Sequence, residues 1–138
     1  MITRVGITAT RKGANDIQLY WLASKLKQLR ADGPKVMEFH HGDCVGGDKQ
    51  GFEIASSLGY KTIAHPPTID KFRAFTASDI ILPSRPYMSR NRAIINSIEF
   101  LLVVPADWEE REPRSGTWAT YRRARQIKLP VEVLLWKD

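Results

Sequence analysis

One cysteine in 138 residues, Cys44, excludes an internal disulfide framework and fits a reducing compartment. No apolar run approaches the roughly 20 residues of a membrane span. The opening stretch MITRVGITAT also lacks the apolar core of a signal peptide. A cytoplasmic protein without membrane contact is expected. His40, His41 and His65 have no ligand-like spacing, so no metal site is expected, and no pattern calls for a cofactor. Repeats, linkers and low-complexity tracts are missing too. That leaves one domain over residues 1–138, long enough to bury a core without staples. Acidic residues are in deficit, with 15 Asp+Glu against 21 Lys+Arg and a net charge of +6. The excess suits an anionic partner without choosing between nucleic acid and a small phosphorylated ligand. Its one concentration, Arg122, Arg123, Arg125 and Lys128, falls near the end of a helical pattern, where cations complement the dipole. Nucleic acid is therefore the less favoured partner.

What is present is a regular alternation. Residues 2–8 alternate and are rich in β-branched types, which reads as a strand. A loop, Thr8-Ala9-Thr10-Arg11-Lys12-Gly13, follows, and Asn15 or Asp16 can cap the next helix. Leu19, Leu22, Ala23, Leu26 and Leu29 recur at helical spacing until Gly33-Pro34 stops them. Further strands are expected at 36–41, 60–64, 80–82, 98–104 and 131–136, with helices at 48–58, 86–97 and 114–128. Residues 68–79 have no clear period; Phe72 and Phe75 suggest a short helix or a packed loop. Strand and helix alternating end to end imply an α/β protein with an open, mostly parallel, Rossmann-like sheet and helices on both faces. Ligands of such sheets bind beyond the carboxyl ends of the strands. Here those ends supply residues 8–11, 41–48 and 105–117.

The second of these loops, within HHGDCVGGDKQG at 40–51, is the richest. Gly42, Gly46 and Gly47 allow a tight turn and close approach of backbone to a ligand. The helix that follows offers unpaired N–H groups and the positive end of its dipole, a natural phosphate site. The same glycines can equally serve the turn alone, and Asp48 can be a plain N-cap. His41 reads either as a site residue or as a hydrogen-bonded core residue. Cys44 has nothing beside it in sequence that marks a nucleophile. Trp108 can stack on a base or pack under its loop.

Four segments in order resemble the SLOG superfamily of Rossmann-like nucleotide-binding proteins, nearest its small YspA-type members. They are Gly6-Ile7-Thr8 through Arg11, the HHGDCVGGD turn, MSRNR at 88–92, and Ser115-Gly116-Thr117. The superfamily also holds the Lonely Guy phosphoribohydrolases and DprA-type domains. The resemblance implies Thr8, Arg11, Gly42, Gly47, Asp48, Arg90, Asn91, Gly116 and Thr117 as ligand-binding residues, and the same loops add Thr10, His41, Asp43, Gly46, Pro105 and Ser115 to the candidate set. Arg90 suits phosphate or ribose oxygens through its planar fork of donors. Arg11 and Arg90 can also be read as surface side chains, and Thr117 as a cap.

Lonely Guy enzymes follow their glycine-threonine pair with two residues and a glutamate. The matching position here is Thr120, which can neither stabilise an oxocarbenium ion nor activate water. The first expectation is therefore a binder of a nucleotide or nucleotide-sugar derivative, ADP-ribose-like ligands included, acting as sensor or sequestering protein. The alternative is an N-glycosidic hydrolase of a nucleoside monophosphate, with Arg90 orienting phosphate and Asp48 as acid or base. Asp43, Glu109, Glu110 and Glu112 are further carboxylate candidates. A DNA-associated role comes third. The resemblance also implies a homo-oligomer. Arg90→Ala is expected to remove ligand binding with the fold intact, and Gly47→Val to block approach to phosphate.

Overall fold

The computed structural model describes residues 2–106 and 116–136. Six strands form one sheet: β1 Arg4–Ala9, β2 Glu38–His41, β3 Lys61–Ala64, β4 Ile80–Ile81, β5 Phe100–Val104 and β6 Val131–Val133. Among the described residues α-helices make four of the five connections: α1 Asp16–Asp32, α2 Gly47–Ser57, α3 Tyr87–Ser97 and α4 Gly116–Gln126. Strand order is β4-β3-β2-β1-β5-β6, and every neighbouring pair is parallel. The expected Rossmann-like α/β sheet is present, and it is parallel throughout rather than mostly so.

Parallel strands need covered faces, and the strand residues divide accordingly. Val5, Ile7, Phe39, Leu102 and Val104 pack with Leu22 and Leu26 of α1 and Ala55 of α2. On the opposite face Leu101 and Val103 pack with Ile94 and Ile95 of α3 and Ala124 of α4. β5 thus contributes alternate side chains to two cores, which explains why it reads as an unbroken apolar run. α1 begins at a capping box: Asn15 accepts from the Gln18 N–H at 2.9 Å, and Gln18 accepts from the Asn15 N–H at 3.1 Å. Asn15, not Asp16, is the cap.

Several boundaries are shorter than the apolar pattern suggests. Val36 is 65% exposed and stays outside β2. The last strand ends at Val133 rather than 136, with the Leu134 carbonyl turned to Gln18 Nε2 at 2.8 Å. The ambiguous stretch after β3 holds one 3-10 turn, Asp70–Phe72, within extended loop. Among the described residues no helix is long and apolar enough to cross a membrane.

Candidate functional site

The strand order reverses between β1 and β5, so the loops leaving their carboxyl ends diverge and open a crevice. A cleft of about 620 Å³ occupies that place. One wall is the end of β1 and its loop, Thr8 through Lys12; a second is the first turn of α4, Gly116 through Thr120. The start of α3 contributes Tyr87, Met88, Arg90 and Asn91, and the glycine turn contributes Gly42, Cys44 and Asp48. Of the expected site residues, Thr8, Thr10, Arg11, Gly42, Asp48, Arg90, Asn91, Gly116 and Thr117 converge here.

Arg90 is 6% exposed, so it is not a surface side chain. Its Nη1 donates to the carbonyls of Gly42 and, at 3.3 Å, His65, and lies 3.7 Å from Cys44 Sγ; Nε donates to Asn91 Oδ1 at 2.7 Å. Asp48 is the nearby carboxylate and accepts from the Cys44 N–H at 3.4 Å. A Cβ on Gly42 would stand 2.7 Å from both Arg90 Nη1 and Asp48 Oδ2, so glycine there is what lets the two charges flank the turn. Burial pushes the Asp48 carboxyl up to about 6, against the opposing pull of Arg90 and the Cys44 and Gly42 amides. The Cys44 thiol is pushed up as well, by burial and by Asp48, which keeps it protonated and poorly nucleophilic. Asp48 lies inside α2, whose N-cap is Gly46, so it is not a cap.

Arg11 is exposed but fixed, its guanidinium 4.1 Å from the centroid of the Phe72 ring. With Lys12 and Arg90 it leaves the described lining cationic, Asp48 being the one carboxylate among those residues. Among the described residues nothing lies within 4 Å of where a Cβ on Gly116, at the start of α4, would be. No described residue blocks approach to its backbone, and a helix start of this kind favours an anion. Thr120 lines the cleft with its hydroxyl given to the Gly116 carbonyl at 2.9 Å.

Other expected site residues serve the scaffold, and the reasons are steric and hydrogen-bonding ones. Gly46 and Gly47 pack against the loop after β1. A Cβ on Gly47 would sit 2.3 Å from Ala9 Cβ, and one on Gly46 would sit 2.4 Å from the Arg11 carbonyl oxygen. The Gly47 N–H donates to the Thr10 carbonyl at 2.8 Å, so this helix start is partly closed by the protein itself. Gly46 and Gly47 are absent from the cleft lining. Asp43 is 1% exposed and spends both carboxylate oxygens on Arg73, at 3.0 Å, and on Thr76, at 2.8 Å from the hydroxyl and 2.9 Å from the N–H. It pins the loop after β3 to the glycine turn. His41 is fully buried between Ser78 Oγ at 2.8 Å and the Asp43 N–H at 3.0 Å, and burial pushes it down to about 4. It is a hydrogen-bonded core residue. The Pro105 carbonyl accepts from Gln18 Nε2 at 2.7 Å, and the cleft is lined by Ala106 instead. Ser115, Trp108, Glu109, Glu110 and Glu112 lie outside the described residues.

Sequence reasoning overlooked Tyr87, Met88 and Trp118, which supply apolar and aromatic lining. Tyr87 and Met88 stand just before Arg90, and Trp118 just after the glycine-threonine pair, so proximity to those motifs was the available signal. The Tyr87 hydroxyl is buried without a hydrogen-bond partner among the described residues, which sets it apart from ordinary buried tyrosines.

No family model and no curated protein matches the sequence. Solved structures do. The Moco carrier protein of Chlamydomonas reinhardtii aligns at a TM-score of 0.69 and 22% identity, over 100% of this chain and 79% of that one. The molybdenum cofactor binding protein of the phototrophic bacterium Rippkaea orientalis aligns at 0.72 and 17%, over 100% and 78%. DNA processing protein A (DprA) of Streptococcus pneumoniae aligns at 0.67 and 19%, over 94% of this chain and 49% of that one. At these identities the likeness concerns the fold alone, and the chain spans about half of DprA.

Proposed function

We propose that the protein binds a nucleotide or nucleotide-sugar derivative, ADP-ribose-like ligands included, and acts as a sensor or sequestering protein. The observation that carries this reading is the meeting of Arg11, Arg90 and the open first turn of α4 on one cleft of about 620 Å³. Its size falls in the range of small-molecule sites, and it sits where sheets of this kind bind ligands. Phosphate belongs at the start of α4 and beside Arg11, where donors and positive charge coincide. Tyr87, Met88 and Trp118 offer the apolar surface that a base needs. Two structural neighbours are named for carrying or binding the molybdenum cofactor, which supports the idea of a carried small molecule. That cofactor is the competing guest for the same cleft. The cytoplasm and a homo-oligomer complete the reading.

A hydrolase is the second reading, and Asp48 is the reason to keep it. A carboxyl held near 6 beside Arg90 in a cleft can deliver a proton to a departing base. Mass spectrometry of the small molecule released from purified protein separates these readings. A nucleotide-derived mass recovered unchanged supports the binder, and free base generated from added AMP supports the hydrolase. A molybdenum-containing species, or no bound molecule and no thermal stabilisation by nucleotides, contradicts both.

A further inference from the structure

Arg90 also lines a second, smaller cleft of about 170 Å³, and it is the one residue the two clefts share among those described. The other walls are His65 after β3, Leu82, Pro83 and Arg85 after β4, and Ala93 and Ser97 one and two turns along α3 from Arg90. The volume is about ten times what a single water needs. Two cations and a histidine line it, with no carboxylate among the described residues that do so. Arg85 is exposed at its side chain, yet its backbone is fixed: its N–H donates to the Pro66 carbonyl at 3.1 Å, and its carbonyl accepts from the Thr68 N–H at 3.0 Å.

His65 is the end of a buried chain. Glu38 Oε1 lies 2.9 Å from His40 Nε2, and His40 Nδ1 lies 2.8 Å from His65 Nε2. Burial holds both imidazoles in the neutral form by pushing their pKa values down. A carboxylate at Glu38 can only accept, which puts the His40 proton on Nε2 and leaves Nδ1 as an acceptor. His65 must then donate from Nε2, and its own Nδ1 keeps a lone pair. Among the residues lining the cleft, His65 thus has an acceptor in its Nδ1, while the guanidinium groups of Arg85 and Arg90 can only donate.

From this geometry we infer a second ligand site, apart from the nucleotide cleft. The small cleft takes a protic oxyanion of the hydrogen-phosphate class, with Arg85 and Arg90 meeting its charge and His65 accepting from its remaining hydroxyl. A fully deprotonated anion would leave the His65 lone pair facing negative charge, and a neutral ligand would leave the arginines unanswered. Free hydrogen phosphate and the phosphate of an ester share this chemistry; the limited volume favours the free ion.

The test observes the His65 imidazole and the backbone amides by nitrogen-correlated NMR near neutral pH. Inorganic phosphate and, separately, AMP are added to wild type and to Arg85→Gln, with chloride at matched ionic strength as control. Inorganic phosphate is expected to shift His65 saturably at millimolar concentration, with AMP leaving it in place. Arg85→Gln should weaken the phosphate response about tenfold, and the response of Thr8 and Gly116 to AMP should persist. An unmoved His65, or an equal response in Arg85→Gln, overturns the site. A His65 shift from AMP alone assigns the cleft to an ester and overturns the free-ion assignment. Failure of the nucleotide reading looks different: Thr8 and Gly116 ignore AMP while His65 still answers phosphate.

Discussion

Asp48→Asn removes a charge from a place where the fold disfavours it, and the consequence depends on pH in a defined direction. Burial raises the Asp48 carboxyl from 3.8 to about 6. Between those values the folded chain holds a proton that the unfolded chain has released. Stability from this group is therefore fully present below 3.8 and is lost as pH rises through about 6. The displacement converts to about 3 kcal/mol. His41 works the other way. Its pKa falls from 6.5 to about 4 on burial, so its contribution is present above 6.5 and is lost as pH drops toward 4. Comparing the variant with wild type cancels the histidine part, because both proteins carry it. Urea unfolding at a series of pH values should show the asparagine variant gaining about 3 kcal/mol on wild type between acid and neutral pH. Two curves that run parallel across that interval would refute the claim that burial of Asp48 outweighs the pull of Arg90 and the neighbouring amides.

The remaining predictions concern the scaffold under the cleft. Gly47→Ala places a methyl group 2.3 Å from Ala9 Cβ, and the resulting overpacking should cost about 1–3 kcal/mol in urea unfolding. An unchanged midpoint would mean that α2 can move off the loop after β1. Gln18→Leu strips the donors from the buried Pro105 and Leu134 carbonyls and should destabilise by about 2–4 kcal/mol. Retained stability would show that other groups replace them. Arg90→Ala leaves the Gly42 and His65 carbonyls without their donor, so it should lower the midpoint of thermal unfolding as well as abolish nucleotide binding. A variant as stable as wild type would contradict the buried role of Arg90.

Much of the architecture was legible because its causes are local. β-Branched runs bounded by proline and glycine, and leucines at helical spacing, each act within a few residues. The strand order was not legible, because it depends on which face each crossover covers. Within the site, Arg11, Asp48, Arg90, Gly116 and Thr117 were readable as chemistry at strand ends and helix starts. The purpose of Gly46 and Gly47 was not. A glycine that admits a ligand and a glycine that admits Ala9 and the Arg11 carbonyl look the same in a sequence. The partners of Asp43 were not legible for a similar reason: Arg73 and Thr76 lie 30 and 33 residues away, in a stretch with no period to place them. Nothing in the sequence singles out Gln18, because the Pro105 and Leu134 carbonyls that it serves come to it across the fold. The pairing of His40 with His65 spans 25 residues and follows only from the alignment of β2 with β3.

The most direct measurement is calorimetric titration of the protein with AMP and with adenosine, repeated at rising salt. The arrangement of Arg11, Arg90 and the α4 start predicts that AMP binds, that adenosine binds far more weakly, and that salt reduces the difference. Equal affinities for the two, or AMP binding that leaves the environment of Trp118 unchanged, would mean that the phosphate is not held in this cleft.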